Sequence, residues 1–194
     1  MGRRNMDLES INRGLFDLFN APAGLSGLPL ALATAAAKFP VVLLLALFLL
    51  AWFRFQTRER SSLIYAVLCA LIALGINYIM GLLFPHPRPF ALGLSPNYLG
   101  HAAETSFPSD HATLMWTLAF GLLLNAKLRS YGWVAVTLAA LTSWARIFLG
   151  VHFPFDILGS MAVAIFALAA MLTLRQRIDK AFLAILLRLG LTNG

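Results

Sequence analysis

The apolar residues of this chain come in long blocks, not in alternating stripes, and nothing else constrains its fold as strongly. A helix that crosses the hydrocarbon core of a bilayer needs about 20 mostly apolar residues. Five blocks approach that length. The first is Pro40 to Phe53, extended back towards Leu30 with Lys38 as its one charged interruption. The others are Ser62 to Phe84, Ala112 to Ala126 (long enough if its helix begins at Ser109), Tyr131 to Leu149, and Phe155 to Leu174. Composition agrees: 60% of the 194 residues are hydrophobic, 12% are charged, and the mean hydropathy is +0.79, too apolar for a soluble globular protein. The expected fold is all-α: a polytopic membrane helix bundle of five transmembrane helices. With no internal repeat or low-complexity stretch, residues 1–194 read as a single domain. A sixth crossing near Leu15 to Ala37 is the alternative, interrupted by Asp17, Asn20 and Pro22.

The net charge of +7 reads as membrane topology and not as nucleic-acid binding, because most basic residues sit at the ends of the blocks. Arg54, Arg58 and Arg60 lie after the first block, Lys127 and Arg129 after the third, and Arg175, Arg177, Lys180 and Arg188 in the tail. The positive-inside rule makes these regions cytoplasmic, with 175–194 as an amphipathic cytoplasmic tail. The long loop Pro85 to Pro108 and the turn around Gly150 to Pro154 then face the opposite side. Five crossings put the N-terminus there too, although it carries Arg3, Arg4 and Arg13. Residues 1–29 read as an amphipathic segment, with a helix over Leu8 to Phe19 lying on the membrane surface. Met1 to Ala21 holds three acids and no continuous apolar stretch, so no signal peptide is expected. Cys69 is the only cysteine, which excludes an intrachain disulfide and a cysteine metal site.

On this map His86, His101, His111 and His152 all fall on the outward side, with Arg88, Arg146, Glu104, Asp110 and Asp156. Polar residues near membrane depth are costly and tend to mark function. Three clusters carry the argument. In PHPRPF, Pro87 and Pro89 fix the backbone around Arg88; an arginine snorkelling to headgroups is the plain alternative. In SFPSDH, a helix starting at Ser109 presents backbone amides and a positive dipole end to an anion. Capping explains Ser109 but not His111 in the first turn. In RIFLGVHFPFD, Gly150 ends one helix and Pro154 suits the start of the next, leaving Arg146, His152 and Asp156 at the tip of a hairpin. Asp156, four residues after His152, can hold one imidazole nitrogen and leave the other as nucleophile or base; an acid capping a helix beside an incidental histidine is the competing reading. Together these groups describe a binder of tetrahedral oxyanions with a nucleophile and an acid. A metal site is not expected, since the arginines repel a cation and no close ligand spacing such as HExxH occurs.

At this point the chain resembles the type 2 phosphatidic acid phosphatase superfamily of membrane lipid phosphatases, whose signature is K-x6-RP, PSGH and SR-x5-H-x3-D. The matching residues are Arg88-Pro89, Pro108-Ser109-Asp110-His111, and Arg146, His152 and Asp156 at the spacing of the third block, over a core of roughly 62–174. Three positions depart: Gly81 stands at the lysine, Ala145 at the serine before the arginine, and Asp110 at the glycine. No role carries over to Gly81; Lys38 is the candidate replacement if the first helix brings it to the outward face. The segments GLLFPHPRPF, SFPSDH, VHFPFD and LFDLFNA resemble the undecaprenyl-diphosphate phosphatases of the bacitracin-resistance type. The resemblance implies His152 as a nucleophile forming a phosphohistidine, oriented by Asp156, and His111 as acid and then base. It implies Arg88, Ser109, Arg146 and the amide of Asp110 as phosphate ligands, with no cofactor and no metal. Glu104 and His86 are accessory candidates outside the signature. The implied substrate is a polyprenyl diphosphate lipid, hydrolysed at the outer face of a bacterial inner membrane among membrane lipids, with no nucleic-acid partner; the sequence leaves the oligomeric state open. The alternatives are a phosphatase for phosphatidylglycerol phosphate, phosphatidic acid or lipid A, a phosphotransferase using the same diphosphate, and a small transporter or lipid-binding membrane protein. A transporter would carry mid-span charges, which the span centres lack apart from Lys38.

Overall fold

The structure, a computed structural model, describes residues 7–188, except for the side chains of 57–58 and 175–188. Six α-helices follow one another: α1 (Leu8–Phe19), α2 (Gly27–Arg54), α3 (Thr57–Leu83), α4 (Asp110–Leu123), α5 (Arg129–Phe148) and α6 (Pro154–Arg188). Short 3-10 turns occupy Pro89–Leu92 and Ala126–Leu128, and the described residues form no strand. Helices are what a bilayer permits, because each satisfies its own backbone hydrogen bonds. Among the described residues three stretches are long and apolar enough to cross a membrane: Gly27–Arg54, Glu59–Leu83 and Pro154–Leu174, with mean hydropathies of 2.2 to 2.3. Large apolar side chains face outward along them, including Leu49, Leu71 and Phe166, each more than half exposed. So wide an apolar surface suits lipid and not water.

Helix α4 is the axis of the bundle. It has 14 residues, about 21 Å at 1.5 Å per residue, and is buried on nearly every side among α3, α5 and α6. Small residues let the neighbours approach closely. A Cβ at Gly121 would lie 2.7 Å from Ala66 Cβ on α3, and one at Gly132 on α5 would lie 2.6 Å from Leu123 Cδ2. Met115, Leu118 and Leu122 then fill the core with Leu44, Leu63 and Ile157. Trp116 Nε1 donates to Ser143 Oγ on α5 at 3.1 Å, so the one polar atom of that indole is satisfied.

Pro40 lies inside α2 and has no N–H to donate to Ala36 O, four residues earlier. The Thr142 hydroxyl on α5 donates to that carbonyl instead, at 3.4 Å. The exchange ties α2 to α5 at the level where Ala33 and Ala37 pack on Ala145 and Leu149.

The two ends of the bundle differ. At one, Lys127 Nζ pairs with Glu59 at 2.8 Å and Asn125 Nδ2 donates to Ser62 Oγ at 2.9 Å. At the other, α1 packs against the α5–α6 turn. Phe16 is fully buried with its ring 5.2 Å from that of Phe153, Asn12 Oδ1 accepts from Phe155 N at 3.0 Å, and Ala21 N donates to Phe148 O at 2.8 Å. Leu8 and Leu18 remain exposed, so α1 is amphipathic as expected. The third apolar block differs from the sequence reading: α4 stops at Leu123, because Asn125 caps the 3-10 turn that follows, and its 14 residues fall short of the length expected for a crossing. Two further boundaries differ. The first long helix begins at Gly27, inside the segment read as amphipathic, because Ser26 and the apolar run after it suit a helix start. The tail is continuous with α6 as far as Arg188, because no Gly or Pro interrupts that stretch. Arg3, Arg4, the basic side chains of the tail and residues 189–194 lie outside the described residues.

Candidate active site

The turn between α5 and α6 sets the chemistry. Gly150 takes φ +72°, a left-handed conformation that suits glycine, and Pro154 opens α6. Asp156, in the first turn of α6, reaches back so that its Oδ2 accepts from Phe153 N at 2.7 Å. This caps the helix in the way an acid at the third position does. The same oxygen accepts from the Ser106 hydroxyl. Capping and site-building are therefore one arrangement, not competing readings.

His152 is 2% exposed, inside this cage. Its Nδ1 lies 3.0 Å from Ser106 O, 3.3 Å from Ser106 Oγ and 3.5 Å from Asp156 Oδ2. A backbone carbonyl only accepts, so the proton sits on Nδ1 and the lone pair is on Nε2. Nε2 in turn lies 3.3 Å from Arg88 Nη1 and 3.4 Å from Arg146 Nη2. Burial pushes the His152 pKa down to about 3, with Arg146 and Arg88 adding to the effect against Asp156, so the ring is neutral at neutral pH.

Both arginines are held in place. Arg88, in an extended backbone between Pro87 and Pro89, donates from Nη1 to Val151 O at 3.1 Å, and Phe90 N donates to Gly150 O at 3.2 Å. Burial lowers the Arg88 pKa, opposed by the carboxylates of Asp156, Glu104 and Asp110. Arg146, 2% exposed, places Nη2 3.0 Å from His101 Nε2. The Nε atoms of both arginines are buried without a hydrogen-bond partner. Two fixed guanidiniums with unused donors beside a neutral imidazole can hold a phosphoryl group against a nucleophile.

The remaining residues singled out from the sequence fall around this centre. Ser109 is buried and is the N-cap of α4, its hydroxyl accepting from Ala112 N at 3.5 Å. Its own N–H donates to Ser160 Oγ at 2.9 Å. His111 is half-buried in the first turn, and the cations and rings acting on it are Arg146, His101 and Arg88. Asp110 Oδ1 accepts from Asn77 Nδ2 at 3.0 Å, and Asn77 Oδ1 accepts from Thr113 Oγ1 at 3.1 Å, so this acid ties α4 to α3. Glu104 is exposed in the long loop within the field of Arg88. His86 stands between two acids, with Nε2 3.3 Å from Glu9 Oε2 and Nδ1 3.9 Å from Asp156 Oδ1. Among the described residues no three His, Cys, Asp or Glu side chains gather as a metal cage. At Gly81 a Cβ would come within 2.9 Å of Thr105 Cγ2; the loop fills the place where the family lysine would start.

Four residues escaped the sequence reading as site members: Ser106, His101, Ser160 and Asn77. Ser106 and Ser160 meet Asp156 and Ser109 across about 50 positions, a pairing that no local spacing reveals. Two of the four gave a usable signal: His101 as one of the histidines sorted to the outward side, and Asn77 as an isolated amide within an apolar span.

Comparison with known proteins follows the same core. Residues 62–180 match the PAP2 superfamily. The chain is 37% identical over 154 residues to the putative undecaprenyl-diphosphatase YbjG of Escherichia coli (strain K12), covering 79% of this chain and 77% of that protein. It is 40% identical over 121 residues to the undecaprenyl-diphosphatase BcrC of Bacillus subtilis (strain 168), covering 62% of each. Among solved structures it resembles Aquifex aeolicus LpxE in fold, with a TM-score of 0.66 at 24% identity over 89% of this chain and 99% of that one.

Proposed function

The chain belongs to the PAP2 superfamily, and from that premise we propose that it hydrolyses undecaprenyl diphosphate to undecaprenyl phosphate and phosphate. The observation that carries the reading is His152, with Nδ1 hydrogen-bonded to Ser106 O and Nε2 between the Arg88 and Arg146 guanidiniums. The two relatives named for that diphosphate support the substrate.

In this mechanism the Nε2 lone pair attacks the terminal phosphorus while the bond from phosphorus to the bridging oxygen breaks. His111, which takes up a proton once the diphosphate brings its negative charge beside the two guanidiniums, gives that proton to the departing lipid phosphate. The neutral His111 then takes a proton from water, whose oxygen attacks the phosphohistidine and releases phosphate as the P–N bond breaks. Arg88, Arg146, Ser109 and the Asp110 amide hold the phosphoryl oxygens through the transition state. Asp156 and Ser106 keep the His152 ring aimed. The guanidiniums supply the positive charge that a divalent cation supplies in soluble phosphoryl-transfer enzymes, so the reaction needs no metal.

In the cell α2 to α6 cross a bacterial inner membrane five times as one domain. The site opens at the outer face, and α1 lies on the surface of that leaflet. Hydrolysis there regenerates the lipid carrier for wall synthesis and removes the diphosphate that bacitracin sequesters. The test is phosphate release by purified protein with EDTA, offered undecaprenyl diphosphate, phosphatidylglycerol phosphate and phosphatidic acid in turn. The diphosphate should be preferred, and His152→Ala should release no phosphate while its thermal midpoint stays within a few degrees of wild type. A preference for either glycerolipid would move the substrate assignment, and an active His152→Ala would remove the nucleophile.

A further inference from the structure

Arg146 serves two imidazoles at once. The Nη2 that stands 3.4 Å from His152 Nε2 also stands 3.0 Å from His101 Nε2, so His101 is the next polar side chain along that guanidinium from the nucleophile. The loop that carries His101 is built to hold it. Asn97 Nδ2 donates to His101 O at 2.8 Å, His101 N donates to Asn97 Oδ1 at 3.0 Å, and Gly100 beside it takes φ +65°. None of these contacts is needed to hold His152, whose own partners are Ser106 and Asp156.

A second cation, Lys38, is carried by α2 at this level of the bundle. Ala37 packs fully buried against Ala145 and Leu149, the residues flanking Arg146 and the turn, and Leu99 of the His101 loop joins that cluster. Thr142 grips Ala36 O, the carbonyl that Pro40 leaves without a donor, and so fixes this level of α2 against α5. Lys38 is the next residue along, with its side chain exposed. Its charge acts on His101 together with those of Arg146 and Arg88, while burial, the larger influence, pushes the His101 pKa down to about 4. At Gly81, the lysine position of the signature named above, there is no side chain to supply a cation, and a Cβ would lie 2.9 Å from the Thr105 methyl.

We propose that His101 and Lys38, sharing Arg146 with the terminal-phosphate site, form a subsite for the second, lipid-side phosphate, and that this subsite makes the enzyme select diphosphates over monophosphates. The proposal rests on the hydrolase reading above and identifies the part of the site that reads the substrate class. A terminal phosphate seated between Arg88 and Arg146 turns its bridging oxygen away from His152 for in-line displacement. The phosphate beyond that oxygen then needs donors other than Arg88, and the unpartnered Arg146 Nε, His101 and Lys38 are the groups available. Charge on two adjacent phosphates rewards such a second set of donors, in which Arg146 and Lys38 are cationic and His101 is a neutral ring.

The test separates binding of one phosphorus from binding of two. Methylenediphosphonate and methylphosphonate are titrated as competitive inhibitors of farnesyl diphosphate hydrolysis by wild type, His101→Gln and Lys38→Met in detergent. Wild type should bind the diphosphonate at least tenfold tighter. Each substitution should weaken the diphosphonate by about tenfold to a hundredfold, the range for a lost hydrogen bond to a charged group, and methylphosphonate by no more than a few-fold. Equal losses for the two inhibitors, or no wild-type preference, would overturn the subsite. A variant that does not fold is recognised by its thermal midpoint, and the other variant then decides. Absence of hydrolysis of any prenyl diphosphate by wild type would instead bring down the hydrolase reading, which is a different result from equal inhibition of an active enzyme.

Discussion

At the scale of single residues the chain holds a histidine in an environment that disfavours its charged form. His152 is enclosed by protein and faces two guanidiniums, which favours the neutral ring and keeps a lone pair on Nε2. That preference is also a stability term. The folded pKa lies near 3, below the ordinary 6.5, so between these values the unfolded chain binds a proton that the folded chain refuses. Stability is therefore full above about pH 6.5 and declines as the pH falls through that window, by about 2 kcal/mol between pH 7 and pH 5 from His152 alone. His101 acts in the same direction, weakened by its greater contact with solvent. A thermal melt in detergent at the two pH values should show the drop, and His152→Gln should flatten it; an equal drop in that variant would assign the effect elsewhere. Part of this residue's surroundings was legible in the sequence, because Arg146, His152 and Asp156 lie within one hairpin and helical spacing decides which of them meet. The groups that complete it were not. Ser106 supplies the carbonyl that fixes the tautomer, and His101 shares Arg146, across 46 and 45 positions respectively. Neither partnership leaves a local pattern.

At the scale of elements, the helices follow from the apolar blocks and their punctuation, whereas their docking depends on single contacts. The range of α1 is visible in the sequence, since Asp7 accepts from Ser10 N at 2.8 Å and apolar residues recur with helical period. Its seat is not visible, because it depends on one aromatic contact and one amide. Phe16 is buried against Phe153, the neighbour of His152, and Asn12 satisfies Phe155 N at the start of α6, where a helix leaves its amides unpaired. Phe16→Ala should thus cost about 3–5 kcal/mol, as truncation of a buried aromatic does. Because Glu9 and His86 lie on the path from α1 to Asp156, the same change should lower kcat as well as the thermal midpoint. Leu18→Ala, on the exposed face, should change neither in detergent. Loss of stability in Phe16→Ala with kcat intact would make α1 a structural brace only.

At the scale of the whole molecule, the bundle sorts its polar groups to its ends, and that sorting is what makes topology testable. The pair Lys127–Glu59 and the contact Asn125–Ser62 close one end, while every histidine of the chain lies at the other with α1 packed over it. The positive-inside rule, applied to the basic residues at the block ends, assigns the first end to the cytoplasm. The side of the N-terminus was harder to read, because Arg13 pulls against an odd number of crossings. In the fold Arg13 is partly neutralised by Glu9, its Nε 2.6 Å from the carboxylate one turn earlier, which weakens it as a topological signal. Five crossings therefore require α1 and the α4–α5 connection to lie on opposite sides of the membrane. In a Cys69→Ser background, an impermeant maleimide applied to right-side-out vesicles should label Asp17→Cys directly and Arg129→Cys only after permeabilisation. Protection of both positions would favour the six-crossing alternative. Labelling of Arg129→Cys in intact vesicles would invert the molecule and put the site on the cytoplasmic face, where it could not meet a lipid diphosphate released outside.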